Sequence, residues 1–142
     1  MAEWSANAQQ TVNPGETVIF TENPVPGRLG LVRHRDETGI FLLKGLSGCP
    51  CNPSTNYLVQ FGANIAIPTG GTVGPISLAL AIDGNTVPAT QMTITPAAVE
   101  EFGNVAVSAN VSVWCGCCEN FSVRNISDQP ILVENSNLII SR

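Results

Sequence analysis

Charged side chains are scarce in this 142-residue chain, in which Asp, Glu, Lys and Arg together make up 12% of the residues. That is roughly half the share of an ordinary soluble domain. So little charge is too little to cover the surface of a lone domain. Oligomerisation, which removes small and uncharged surface from water, is the economical expectation. The competing reading is a β-rich monomer whose surface is mostly Asn, Ser, Thr and Gln. A net charge of −5 gives no general electrostatic reason to bind nucleic acid or an anionic membrane. No apolar run approaches the roughly 20 residues that cross a bilayer. MAEWSANAQQ carries neither the basic nor the apolar region of a secretory signal. The expectation is therefore no nucleic-acid partner, no membrane partner and synthesis in a cytoplasm, with any exit by lysis or by assembly into a larger particle.

Groups that carry catalysis are scarce as well. His34 is the only histidine. It lies in a basic loop without any Gly-x-Ser-x-Gly motif, so a nucleophile–histidine site has nothing to be built from. Glu100 and Glu101 are adjacent and point in different directions, which does not make an acid/base pair. The PTGGTVGP stretch lacks the lysine and following helix of a phosphate loop and reads as a turn. Asn110, Asn120 and Asn125 open Asn-x-Ser sequons, which carry little weight in a chain read as unsecreted. No enzyme activity, metal or cofactor is expected.

Five cysteines, Cys49, Cys51, Cys115, Cys117 and Cys118, lie in two loops as CPC and CGCC. Three readings stand for this cluster. Zinc is disfavoured because a one-residue gap and an adjacent pair are not the usual ligand spacing. Disulfides between the two loops would leave an odd cysteine over. Reduced thiols fit cytoplasmic synthesis.

What is abundant is alternation. Hydrophobic residues make up 44% of the chain, punctuated by 13 Gly and 10 Pro. The clearest unit runs from Tyr57 to Pro96. Ile76, Leu78, Leu80 and Ile82 alternate with Ser77, Ala79, Ala81 and Asp83, the period of a strand. Gly84-Asn85 supplies a turn into a second run holding Val87, Met92 and Ile94, interrupted by Pro88. Tyr57 to Ile67 reads as a long strand bending at Gly62. Val105, Val107, Ala109, Val111 and Val113 line one face of another. Shorter strands are expected at Thr17–Thr21, within LGLVRH, at Gly39–Lys44, at Asn120–Asn125 and at Ile131–Ile140. TPAAVEE, from Thr95, is expected to make a single helical turn. The count is roughly eight to ten strands in one all-β domain.

Residues 1–15 read as an extended N-terminal arm closed by the Asn13-Pro14-Gly15 turn, with residues 16–142 as the single domain. Trp4 is the arm's one large apolar group. Of the six Lys and Arg residues and the one His, four fall together as Arg28, Arg33, His34 and Arg35. This cluster reads as a solvated loop balanced by Asp36 and Glu37, or as a patch for an acidic protein surface.

LALAIDGNTVPAT, the ITP that follows, a long alternating strand and a final pair ending LIISR resemble the C-terminal domains of bacterial collagen-like surface proteins, the exosporium glycoproteins among them. The resemblance covers about residues 57–141. It implies the tumour-necrosis-factor-like and complement-head-like jelly roll, assembled as a homotrimer. ANAQQTV, VRHRD, FGANIAIPTGGTVG, TPAAVEEF and SDQPILV also give the whole chain a resemblance to small structural proteins of phages and prophages of gut Firmicutes. That implies a place on the virion, with the major capsid protein or another virion protein as partner. The expected function is a trimeric jelly roll that decorates or cements a phage head. Trp4, Arg28, Arg33 and Arg35 are the candidate lattice contacts, and the face of Tyr57, Val59 and Phe61, or the neighbouring face of the same strand, the candidate trimer interface, since alternation does not say which face is inside. The alternative is a receptor- or glycan-binding head of a phage fibre or of a spore or cell surface, with recognition in the loops at residues 24–35 and 49–56.

Overall fold

The computed structural model describes residues 1–27, 30–45, 54–115 and 118–142. Among these, β1 (Ala2–Ala6), β2 (Gln10–Val12), β3 (Glu22–Val25), β6 (Ser54–Ala66), β10 (Gly103–Trp114) and β12 (Ile131–Ser141) form one sheet. Its order is β10-β6-β12-β1-β3, with β2 also on β12. The second sheet holds β4 (Val32–His34), β5 (Phe41–Lys44), β7 (Ile76–Ile82), β8 (Asn85–Thr86), β9 (Met92–Ile94) and β11 (Cys118–Asn125). Its order is β4-β5-β11-β7-β8, with β9 on the far part of β7. All these pairings are antiparallel, and their crossover order makes a two-sheet jelly roll. Except at Thr17–Thr21 the expected strands are present, the run after the hairpin turn being split into β8 and β9, and β1, β2 and β3 are additional.

The N-terminal segment corrects the expectation of a free arm. β1 pairs with β12 from Ala2↔Ile140 to Ala6↔Ser136, and β2 pairs with the start of the same strand. Ala2, Trp4 and Ala6 all face the core. Two of those three are alanines, so the period-2 signal of a strand is nearly silent in this stretch. The Asn13-Pro14-Gly15 turn is present, with Gly15 at φ 78° and the Glu16 N–H donating to the Asn13 carbonyl at 3.0 Å. It connects two parts of the body.

Three local expectations also shift. Thr17–Thr21 is not a regular strand. It makes an isolated bridge from Thr17 to Arg124 while Val18 and Phe20 plug the core. The strand lies further on, at β3, where Pro24 is tolerated because β3 is a sheet edge. The β7–β8 turn is Asp83-Gly84, with φ of 51° and 83°, because Ile82 pairs with Asn85. Asp-Gly suits the two left-handed positions of a tight hairpin turn. Pro88 breaks the return strand into a 3-10 turn, Pro88–Thr90, before β9. The stretch after Thr95 forms bends and a tight turn with Glu100 at φ 58° but no helical turn, and the Glu100 N–H donates to the Ile67 carbonyl at 2.7 Å.

The core is centred on Phe41. Trp4 meets it edge-on at 4.8 Å between ring centroids, Phe20 at 5.5 Å, and His34 stacks on it at 4.5 Å. These residues come from β1, the bridge segment, β4 and β5, so the aromatic cluster ties both sheets together. Edge-to-face pairs add about 0.5–1.5 kcal/mol beyond the area they bury. Asn125 is wholly buried yet fully partnered. Its Nδ2 donates to the Val12 and Gln129 carbonyls at 2.9 and 3.0 Å, and its Oδ1 accepts from the Ser127 N–H at 2.8 Å. A buried amide so satisfied pins β11 to the end of β2.

Candidate assembly interface

β6 and β10 run side by side without a break, from Gly103↔Ile65 to Trp114↔Ser54. Their pleat divides the residues cleanly. Tyr57, Val59, Phe61, Ala63 and Ile65 of β6 and Val105, Val111 and Val113 of β10 are buried against the second sheet. Asn56, Leu58, Gln60, Gly62 and Asn64 of β6 therefore point the other way, with Asn104, Ala106, Ser108, Asn110, Ser112 and Trp114 of β10. This outward face carries no charged side chain on either strand. Leu58 is 39% exposed and Trp114 62%, which is unusual for side chains of their size.

Polar pairs brace the two ends of the face. Asn104 Nδ2 donates to Asn64 Oδ1 at 3.2 Å at one end, and Ser112 Oγ donates to Asn56 Oδ1 at 2.5 Å at the other. Between them lies a shallow concavity of about 400 Å³ centred on Gly62, flanked by Ala106 and Asn137. The β12 register shifts between Glu134 and Asn137 just beside it, with Asn135 at φ 50°.

Gly62 needs explaining. A glycine inside a strand costs about 0.5–1 kcal/mol relative to alanine. Its φ is not left-handed, and a Cβ placed there would meet only the Val105 carbonyl oxygen at 3.7 Å, an ordinary contact. Nothing among the described residues requires the glycine, and a side chain there would project into the concavity. A strand glycine of this kind marks the close approach of something from outside.

β10 adds a second unsatisfied feature. It bonds to β6 alone among the described strands, so its other edge has no strand partner there; β9 and the Pro88–Thr90 turn lie beside part of it, and Val107 and Ala109 are only partly covered. Long open edges invite pairing or covering by another chain.

The residues singled out from sequence fall as follows. Tyr57, Val59 and Phe61 are at most 3% exposed and belong to the core, so they are not an interface. The alternate face of the same strand is the exposed one. Alternation alone assigns residues to two faces without saying which is inside. Tyr57 instead ties β6 to β5 by donating to the Lys44 carbonyl, and its burial pushes its phenol up, opposed by the charge of Arg142. Trp4, 3% exposed, has no surface with which to touch a lattice.

Arg33 and Arg35 are exposed, on β4 and in the turn that follows. Arg28 lies outside the described residues, as do Cys49, Cys51 and Cys117. Cys115 is disulfide-bonded, and Cys118 is exposed at the start of β11. Among the described residues no group of three or more His, Cys, Asp or Glu side chains is arranged to hold a metal ion. No described helix is long and apolar enough to cross a membrane.

One carboxyl pair went unnoticed in the sequence. Asp83 and Glu119 share a hydrogen bond across the β7–β8 turn, which holds the Asp83 carboxyl below and pushes the Glu119 carboxyl above their usual ranges. Thirty-five residues separate them in sequence, and only the pairing of β11 with β7 brings them together.

No protein-family profile matches the sequence, and no curated protein matches it. Solved structures do match the whole fold. The globular domain of zebrafish complement 1qA protein aligns at a TM-score of 0.61 with 12% identity, over 97% of this chain and 94% of that one. The Eiger TNF of S. frugiperda aligns at 0.67 with 12% identity, over 98% and 88%. The fold is the TNF-like jelly roll. At this identity the likeness is one of fold, and this chain's own residues must carry any reading of function.

Proposed function

We propose that this protein is a non-enzymatic structural module that assembles as a homotrimer through the outward face of β6 and β10, and that the trimer decorates a phage head. The observation that carries the trimer is the uncharged outward face with Gly62 at its centre. Three copies related by a three-fold axis would each set an open β10 edge against a neighbour's concavity, in a closed heterologous ring. The scarcity of charge throughout the chain supports the same arrangement.

The virion role is supported by the resemblance of ANAQQTV, VRHRD, FGANIAIPTGGTVG and SDQPILV to small phage structural proteins. With Trp4 buried, lattice contacts fall to exposed groups such as Arg33 and Arg35. Three such contacts on one trimer act together, so each is weak alone while the assembly holds. Immunogold labelling of purified virions tests the role. Label confined to heads is expected. Label on tail tips, or virions without label, would overturn head decoration.

A further inference from the structure

The opposite face of the sandwich, the outer side of the second sheet, carries a cleft that assembly through β6 and β10 leaves free. Its volume is about 290 Å³, and two of the chain's six cationic residues, Arg35 and Arg124, line it. They lie eighty-nine positions apart in sequence and meet because β11 pairs with β5. The backbones of both are held in place. Arg35 sits in the turn between β4 and β5, where its N–H donates to the Ile40 carbonyl and its own carbonyl accepts from Thr38, each at 3.1 Å. Arg124 bridges to Thr17 through the backbone, and its Nη1 donates to the Gly84 carbonyl at 3.3 Å.

Arg124 is also incompletely satisfied, for its Nε is buried with no hydrogen-bond partner among the described residues. A buried guanidinium N–H without an acceptor is uncommon and calls for a ligand or a water. The rest of the lining is mixed. Ser122 and Asn120 offer neutral polar groups, Ile40 an apolar patch, and Asp83 a carboxylate whose Oδ1 already accepts the Asn120 N–H at 2.9 Å. The cleft continues over Leu42 to Arg33 in a second depression of about 340 Å³.

We propose that this cleft binds the carboxylate of a sugar acid, either free or at the end of a glycan. The planar guanidinium groups suit a carboxylate, which accepts two parallel N–H bonds. Asp83 disfavours a doubly charged phosphate beside it, yet accepts from a sugar hydroxyl, as Asn120 and Ser122 also can. Ile40 takes the C–H face of the ring. The volume lies at the small end of ligand pockets, suited to one sugar ring. The site does not depend on the trimer, and a lattice contact made through Arg33 or Arg35 would compete with its ligand.

The test is a titration of the ¹⁵N-labelled full chain with sodium glucuronate, following the arginine Nε–H and backbone amide signals, with glucose and sodium sulfate as controls at matched ionic strength. Glucuronate is expected to shift the Arg124 Nε–H and the Ser122 amide saturably, while glucose leaves them unmoved. Arg35→Gln, at an exposed position, should keep the folded spectrum and weaken binding about tenfold or more. Arg124→Gln should do the same where its spectrum stays native. Equal responses to glucose and glucuronate, sulfate shifts matching those of glucuronate, or unchanged affinity in Arg35→Gln would overturn the proposal. An oligosaccharide ending in glucuronate separates the sources. Tighter binding than the free acid assigns a glycan terminus, and equal or weaker binding assigns the free acid.

Discussion

Replacing Gly62 by leucine separates what the subunit needs from what its neighbours need. Within the subunit the added Cβ meets a single carbonyl oxygen at 3.7 Å, and the rest of the side chain enters an open concavity of about 400 Å³. Strand propensity then favours leucine over glycine, so the isolated subunit should gain up to about 1 kcal/mol. In the trimer the same side chain occupies space that a neighbour fills. Overpacking of this kind costs about 1–3 kcal/mol at each site. Three equivalent sites bring the cost to roughly 3–9 kcal/mol per trimer, which weakens trimer association by about two to six decades at 1.4 kcal/mol per decade. Sedimentation velocity across a concentration series, with thermal unfolding of the dissociated species, reads both quantities. Gly62→Leu should dissociate at concentrations where the parent protein does not, while its subunit unfolds no more easily. A variant that stays trimeric with unchanged dissociation would refute the argument from Gly62. So would a subunit destabilised by the leucine, since the concavity would then belong to the fold itself.

Three further outcomes follow from the structure. Trp4→Ala empties a site that is 3% exposed beside Phe41. It should cost about 3–5 kcal/mol, seen as a lowered midpoint in denaturant, and removal of residues 2–12 should abolish folding. A truncated chain that folds normally would show that β1 and β2 are dispensable. Asp83→Asn takes away the partner that holds the Glu119 proton, so the Glu119 carboxyl should titrate at lower pH in carbon-detected NMR. In the parent protein Glu119's contribution is present below its unfolded value and fades as pH rises through its raised folded value. Asp83's contribution is present above its unfolded value and fades as pH falls through its lowered one. Asp83 is exposed and Glu119 only partly covered, so the titration itself, and not stability, is the quantity to follow. An unchanged Glu119 midpoint in Asp83→Asn would contradict the coupling.

Alternation made the long strands legible, because β6, β7 and β10 carry large apolar residues at every second position. It could not say which side of β6 faces inward. That depends on the second sheet, and Asn56, Leu58 and Gln60 are no less regular than Tyr57, Val59 and Phe61. β1 was hidden by size. With alanine at two of its three inward positions, AEWSA offered one tryptophan, and an isolated aromatic near a terminus resembles an anchor as much as a core residue. The β7–β8 turn was placed one residue late because Asp83-Gly84 and Gly84-Asn85 are both good turn pairs, and only the register of Ile82 with Asn85 decides between them. The sugar-acid cleft lay beyond sequence reading for a different reason. Arg33 and Arg35 stood out as part of a local cluster, whereas Arg124, the cation that faces Arg35 across the cleft, lies in another strand and carries no local signal.

The mass of the purified protein in solution, by light scattering with and without reductant, tests the central claim most directly. A mass near three times the 14.9 kDa chain, unchanged by reductant, is what the uncharged face around Gly62 predicts. A single-chain mass at micromolar concentration would contradict the three-fold assembly. It would leave the open edge of β10 and the strand glycine without a partner to explain them.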